Sequence, residues 1–216
     1  MPYDPNRHHR RSIRLKGYDY TQPGAYFVTI VTQHRECLFG EIVNGQMVLN
    51  EAGRIIQTVW DAIPEHHPGI ENDAFVIMPN HIHGIVVITN VNASASASVG
   101  AGLVPAHMAG VTAIRATTRV APTVGDVVGA FKSRTTVEYI RGVATYGWTP
   151  FPGKLWQRNY YEHIIRNEHA LDRIREYIVC NPLRWTLDRE NPQRMGNDEF
   201  DIWLEHYSDI RKGKPS

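Results

Sequence analysis

The sequence predicts an α+β fold, an antiparallel sheet with helices on one or two of its faces, and three observations carry that prediction. Segments rich in β-branched and aromatic residues recur between turn signals. Three further stretches space their apolar residues three and four apart, as helices do. The resulting order, β-β-α-β-β-α-β-α, favours this class over a parallel α/β sheet or a helical bundle. With 216 residues, 42% of them hydrophobic, the chain can bury one good core.

Each element follows from its residues. "AYFVTIVTQ" (25–33) is β-branched and aromatic, a strand. "GEIVNGQMVL" sets an Asn-Gly pair between short apolar stretches, the pattern of a tight hairpin. In "NEAGRIIQTVWDAI", Ile55, Ile56, Val59 and Ile63 fall at helical spacing, with Asn50 as N-cap and Pro64 as the break. "AFVIM", a Pro79-Asn80 turn and "HIHGIVVIT" read as two joined strands. Residues 91–122 have small side chains and no periodicity, and read as an excursion between a strand and a helix. "VGDVVGAFKSRTTVEYIRG" (124–142) is an amphipathic helix with Val127, Val128, Phe131 and Val137 inward. "KLWQRNYYEHII" (154–165) reads as a strand, and "NEHALDRIREYIVCNP" (167–182) as the last helix before an acidic tail. The chain divides into a basic arm (1–22), a domain (23–187) containing the 91–122 insertion, and a C-terminal extension (188–216).

Composition removes several classes. Cys37 and Cys180 fit neither a disulfide framework nor a zinc spacing, so a reducing cytosol is the expected setting. The polar, basic N-terminus has no apolar signal core, and no run reaches membrane-spanning length; a soluble cytoplasmic protein without a membrane partner is expected. A formal charge of +1 leaves any nucleic-acid binding to local patches.

The chemistry concentrates at "MPNHIHGIVVI" (78–88). Residues i and i+2 of a strand share a face, so His81 and His83 project side by side, an arrangement suited to two neutral imidazoles on one cation. For an arbitrary His-x-His, a turn cap and a packed ring are the commoner explanation, because two ligands alone do not hold a metal. The best candidate for a third lies in "RIREYIVCNP", where the plainer readings are a half-buried tyrosine at 177 and a C-cap at Asn181. Leu171, Ile174 and Ile178 form the inward stripe of that helix, and Tyr177 and Asn181 stand four residues apart on its edge. Pro182 is expected to push Asn181 out of helical geometry, so that its amide projects at the negative end of the helix dipole. The set suits attack of the Tyr177 phenol on a phosphodiester, with Mg²⁺ or Mn²⁺ held by His81, His83 and Asn181. Arg173, one turn before Tyr177, is placed to favour the phenolate or hold a phosphate oxygen.

At these residues the chain resembles the HUH single-strand DNA transposases with one catalytic tyrosine, and among them the REP-associated tyrosine transposases. "YFVTIVTQHRECLFG", "FVIMPNHIHGIVVI", "VGDVVGAFKSRTTVEYI", "LWQRNYYEHIIRNE" and "LDRIREYIVCNPLRW" carry the resemblance, in order, through roughly residues 17 to 187. It implies a ferredoxin-like sandwich whose central antiparallel strands carry His81-Ile82-His83, with Tyr177 as nucleophile and Asn181 as the helix-borne metal ligand. It also implies nicking and rejoining of single-stranded DNA through a 5′-phosphotyrosine bond, recognition of hairpin or palindromic DNA near the nucleoid, and a homodimer as the candidate assembly. Tyr160 and Tyr161 are rival nucleophiles that face opposite ways on a strand, and His163 a neighbour with a structural role.

Residues 131–185 hold nine lysines and arginines against five acids, whereas 186–216 hold seven acids against five bases. Lys132, Arg134, Arg158 and Arg173, with Arg14 in the arm, are the expected DNA contacts, and Trp156, Tyr160 and Tyr161 the stacking partners. Two other readings compete: a domesticated relative that binds DNA hairpins without cutting them, and a ferredoxin-like RNA-binding module with an accidental His-x-His. The second would need exposed aromatics that "HIHGIVVI" lacks.

Overall fold

The computed structural model describes residues 22–89 and 122–209. Arg14 and all but the last residue of the basic arm, and all but the last residue of the 91–122 segment, lie outside them. Strand β1 (Gly24–Val31) is followed by the hairpin β2 (Gly40–Val43) and β3 (Gln46–Leu49), then α1 (Glu51–Asp61) and the short α2 (Ile63–His66). Next come β4 (Ile70–Met78), β5 (His81–Ile88), the long α3 (Val124–Tyr146), β6 (Tyr161–Ile165), α4 (Glu168–Cys180) and α5 (Glu199–Asp209). The four long-range strands form one antiparallel sheet in the order β4-β5-β1-β6, and β2-β3 forms a separate ribbon. Strands β1 and β4 run on either side of β5, the split β-α-β arrangement of ferredoxin-like folds, so the expected fold class holds.

The sheet separates two cores. On one face Tyr26, Val28, Ile30, Ile82 and Val86 pack under α1 and α3 with Trp60, Phe131 and Trp156. On the other, Phe27, Ile85 and Ile165 pack under α4 and α5 with Ile174, Tyr177, Ile178 and Phe200. Each fully buried aliphatic or aromatic side chain contributes roughly 1.5–3 kcal/mol. Gly84 sits between the layers because a Cβ there would run into the Trp60 indole. The hairpin turns through Asn44 and Gly45 at positive φ, 51° and 75°, as its Asn-Gly pair predicts. Asn50 caps α1 by accepting from the Gly53 amide, and Thr123 with Asp126 forms a capping box on α3.

Four expectations change. The strand expected over 154–165 is ordered as β only from Tyr161; Trp156 makes a single bridge to Thr32 and donates its indole N–H to Thr135 Oγ1, which buries it away from any stacking role. Val137 points outward at 46% exposure, because Thr135 and Tyr139 take the inward positions of α3. Asn181 stays helical (φ −58°, ψ −40°), and the chain tightens into a 3-10 turn (Asn181–Leu187). Pro182 opens that turn, where no amide hydrogen is needed. The tail contains α5, which docks Phe200 and Leu204 into the second core. Among the described residues no helix is long and apolar enough to cross a membrane.

Candidate metal centre

Alternation along β5 puts His81, His83 and Ile85 on the face covered by α4, while Ile82, Val86 and Ile88 enter the opposite core. The 3-10 turn then doubles the chain back and delivers Asp188 onto the two imidazoles. His81 Nε2 and His83 Nε2 stand 3.0 Å apart, and Asp188 Oδ2 is 3.5 Å from the first and 3.7 Å from the second. All three residues are buried, and their ligand atoms lie within 4.8 Å of one another.

Each group is held from behind. His83 Nδ1 lies 2.9 Å from Thr29 Oγ1 on the neighbouring strand, and His81 Nδ1 lies 2.8 Å from Asn80 Oδ1. Trp185, from the 3-10 turn, stacks against His81, with ring centroids 6.0 Å apart. Asp188 Oδ1 accepts the Glu190 amide at 2.6 Å, and Asp188 Oδ2 accepts from Asn181 Nδ2 at 3.1 Å. Among the described residues, Asn181 Oδ1 is buried without a hydrogen-bond partner. Burial, reinforced by the charge of His81, pushes His83 down to about 4, so the ring is neutral at pH 7 and free to ligate. Burial alone would raise the Asp188 carboxyl; His81 and His83 outweigh it and hold the group well below the usual carboxylate range.

These residues fit a divalent cation. A point about 2 Å from all three facing atoms exists at the centre of their triangle, the length of a metal–nitrogen or metal–oxygen bond. The donors are imidazole and carboxylate without thiolate, and an orphaned amide oxygen stands beside them.

The Tyr177 hydroxyl reaches the edge of this centre, 3.3 Å from His83 Nε2. Its ring stacks on Phe200 at 3.7 Å between centroids and meets Phe27 edge-on. Tyr177 is 4% exposed and belongs to the buried stripe of α4, not to its edge. Burial first, then the charges of Asp188 and Asp201, pushes the phenol well above its ordinary value; Arg189 acts in the opposite direction. An open cleft of about 460 Å³ borders Tyr177, lined by Arg173, Arg184, His169 and the acids of α4 and α5.

The structure thus brings together His81, His83, Tyr177 and Asn181. The basic residues are dispersed. Lys132 is turned inward, donating to the carbonyls of Gln157 and Asn159 at 3.0 and 3.1 Å, while burial lowers it to about 8. Arg134 and Arg158 are exposed, and Arg173 lies over the Trp203 ring at 4.7 Å, on the cleft that borders Tyr177. Tyr160 faces the first core and donates to Glu162, whereas Tyr161 faces the second, with Arg189 over its ring at 4.9 Å. Asp188, Arg189 and Asn80 escaped the sequence reading. Only a 3-10 turn after Asn181 makes Asp188 a neighbour of His81, and "NPLRWTLDRE" gives no periodic sign of one.

The chain matches no protein-family profile. It is 39% identical over 188 residues to an uncharacterized protein of Haemophilus influenzae, covering 87% of this chain and 96% of that one. Two solved structures are similar at low identity. One is a REP-associated tyrosine transposase bound to a REP hairpin (17% identical, 80% of this chain and 74% of that chain, TM-score 0.44). The other is a provisionally assigned transposase of Deinococcus radiodurans (19% identical, 77% and 95%, TM-score 0.37).

Proposed function

We propose that this chain, which belongs to one family with the Haemophilus influenzae protein, is a metal-dependent single-strand DNA endonuclease and strand transferase of the HUH type. One observation carries the reading: a tyrosine hydroxyl lies 3.3 Å from one histidine of a buried His81–His83–Asp188 centre. His81, His83 and Asp188 hold the cation, and Asn181, with its orphaned amide oxygen, supplies the fourth protein ligand. When bound, a cation there supplies Lewis-acid charge to a phosphate oxygen and offsets the Asp188 charge that opposes phenol ionisation. Two imidazoles in the donor set favour Mn²⁺ over Mg²⁺, which prefers an all-oxygen shell.

Tyr177 is the nucleophile. Its oxygen forms the bond to phosphorus as the bond to the 3′ oxygen breaks; the phenol proton is lost, the released 3′ end gains one, and a 5′-phosphotyrosine remains. Attack by another 3′-hydroxyl on that phosphotyrosine reverses the exchange and rejoins the strand. Arg189 offsets part of the negative charge around the phenol. The exposed Arg134 and Arg158 supply backbone contacts to a single-stranded or hairpin substrate, with a homodimer as the working assembly.

The burial of Tyr177 favours a second reading, a hairpin-binding protein that does not cut. The test is to incubate the protein with end-labelled hairpin DNA and Mn²⁺ and look for an adduct that survives denaturation. Wild type is expected to form it and Tyr177→Phe to form none while binding the hairpin unchanged. Equal adduct from both proteins removes Tyr177 from the chemistry, and hairpin binding without any adduct selects the second reading.

A further inference from the structure

We infer that Asn80 is a positioning residue of the metal centre, fixing the tautomer of His81 and latching the turn that carries Asp188. The inference rests on the proposed centre but not on the DNA chemistry assigned to it.

Asn80 is fully buried in the turn between β4 and β5. Its Nδ2 donates to the carbonyl oxygens of Arg35 at 3.1 Å and Glu190 at 2.8 Å. Carbonyl oxygens carry no hydrogen, so only the NH₂ end of the amide satisfies that pair, and the orientation of the amide is settled by its partners. Asn80 Oδ1 therefore faces His81 Nδ1 at 2.8 Å as an acceptor, and Nδ1 must carry the proton. His81 Nε2 is thereby directed to His83 Nε2 and Asp188 Oδ2 as the ligating nitrogen.

The same amide reaches the second part of the centre. Glu190, whose carbonyl accepts from Asn80, also gives its own amide hydrogen to Asp188 Oδ1. One residue thus joins Asn80 to the carboxylate. Arg35 Nε closes the junction by donating to Glu190 Oε2 at 2.9 Å. His34 and Arg35 sit at φ 61° and 59°, a left-handed path unfavourable for side-chain-bearing residues, and this bend brings the Arg35 carbonyl onto Asn80. The main chain of the Pro79-Asn80 turn is held independently: Thr32 N donates to Asn80 O at 2.8 Å, and Leu38 N and Phe39 N donate to Pro79 O. The side chain can therefore be altered without dismantling the turn.

Two substitutions separate the roles. Asn80→Asp keeps an acceptor for His81 but sets an oxygen against the two carbonyls; Asn80→Leu removes the acceptor and the donors together. Histidine ¹⁵N spectra of the metal-free proteins report the tautomer, Mn²⁺ titration calorimetry reports the centre, and thermal unfolding confirms that each variant is folded. The expected results are a His81 proton on Nδ1 in wild type and Asn80→Asp, and its loss from Nδ1 in Asn80→Leu. Mn²⁺ affinity is expected to fall about tenfold in Asn80→Asp and toward about 100-fold in Asn80→Leu, the range for partners that orient metal ligands. Wild-type Mn²⁺ affinity in Asn80→Leu overturns the inference, as do equal losses in both variants with the Nδ1 proton unmoved. A wild-type protein that takes up no Mn²⁺ fails the centre itself, a result distinct from an indifferent Asn80→Leu.

Discussion

His83 is neutral in the fold because burial, aided by His81, lowers it to about 4. An unfolded chain restores its ordinary value near 6.5, so between these values the unfolded state binds more protons. Stability is accordingly full above about pH 6.5 and falls as the pH drops toward 4, by about 3 kcal/mol from this one ring. Urea unfolding of the metal-free protein at pH 7 and pH 4.5 should show that loss, and His83→Asn should reduce it; an unchanged pH profile in the variant would assign the loss elsewhere. The strand period alone placed His81 and His83 on one face, and helical spacing placed Tyr177 four residues from Asn181. Asp188 was hidden because its approach depends on a tight turn that no side-chain pattern announces. The setting of Lys132 was hidden for a related reason: its charge is visible in sequence, but not the backbone carbonyls to which it donates.

Among the elements, α5 packs against the edge of the centre, and in the sequence it shows only as part of an acidic tail. Its Phe200 covers the Tyr177 ring, and its Asp201 is pushed up to about 6, chiefly by burial, with Asp188 and Asp198 adding and Arg189 opposing. A carboxyl raised in this way weakens the fold at neutral pH and ceases to do so as the pH falls through 6 toward 4. Asp201→Asn is expected to stabilise the protein at pH 7 by roughly 1–3 kcal/mol and to give no gain at pH 4. Denaturant midpoints at the two pH values decide it, and equal gains at both would detach the effect from ionisation. The strands and the three long helices were legible because each buries one regular stripe. Residues 154–160 were not: Leu155 and Trp156 are buried as an irregular segment, and apolar content mimicked a strand where the ladder never forms.

For the molecule as a whole, the centre joins distant stretches of chain, His81 and His83 on β5 and Asp188 beyond α4. A cation bound only by the folded form adds stability by mass action, about 2.7 kcal/mol when its concentration is 100 times its dissociation constant. Thermal unfolding in Mn²⁺ against chelator should show that rise in wild type and none in His81→Ala; a rise of equal size in both would place the ion elsewhere. The order of the chain has a temporal meaning too. The last strand of the central sheet ends at Ile165, and the carboxylate of the centre follows only at Asp188. During synthesis the four strands of the central sheet are therefore complete before the ion site gains its negative partner, and the sheet face that α4 and α5 cover waits for the same late stretch of chain.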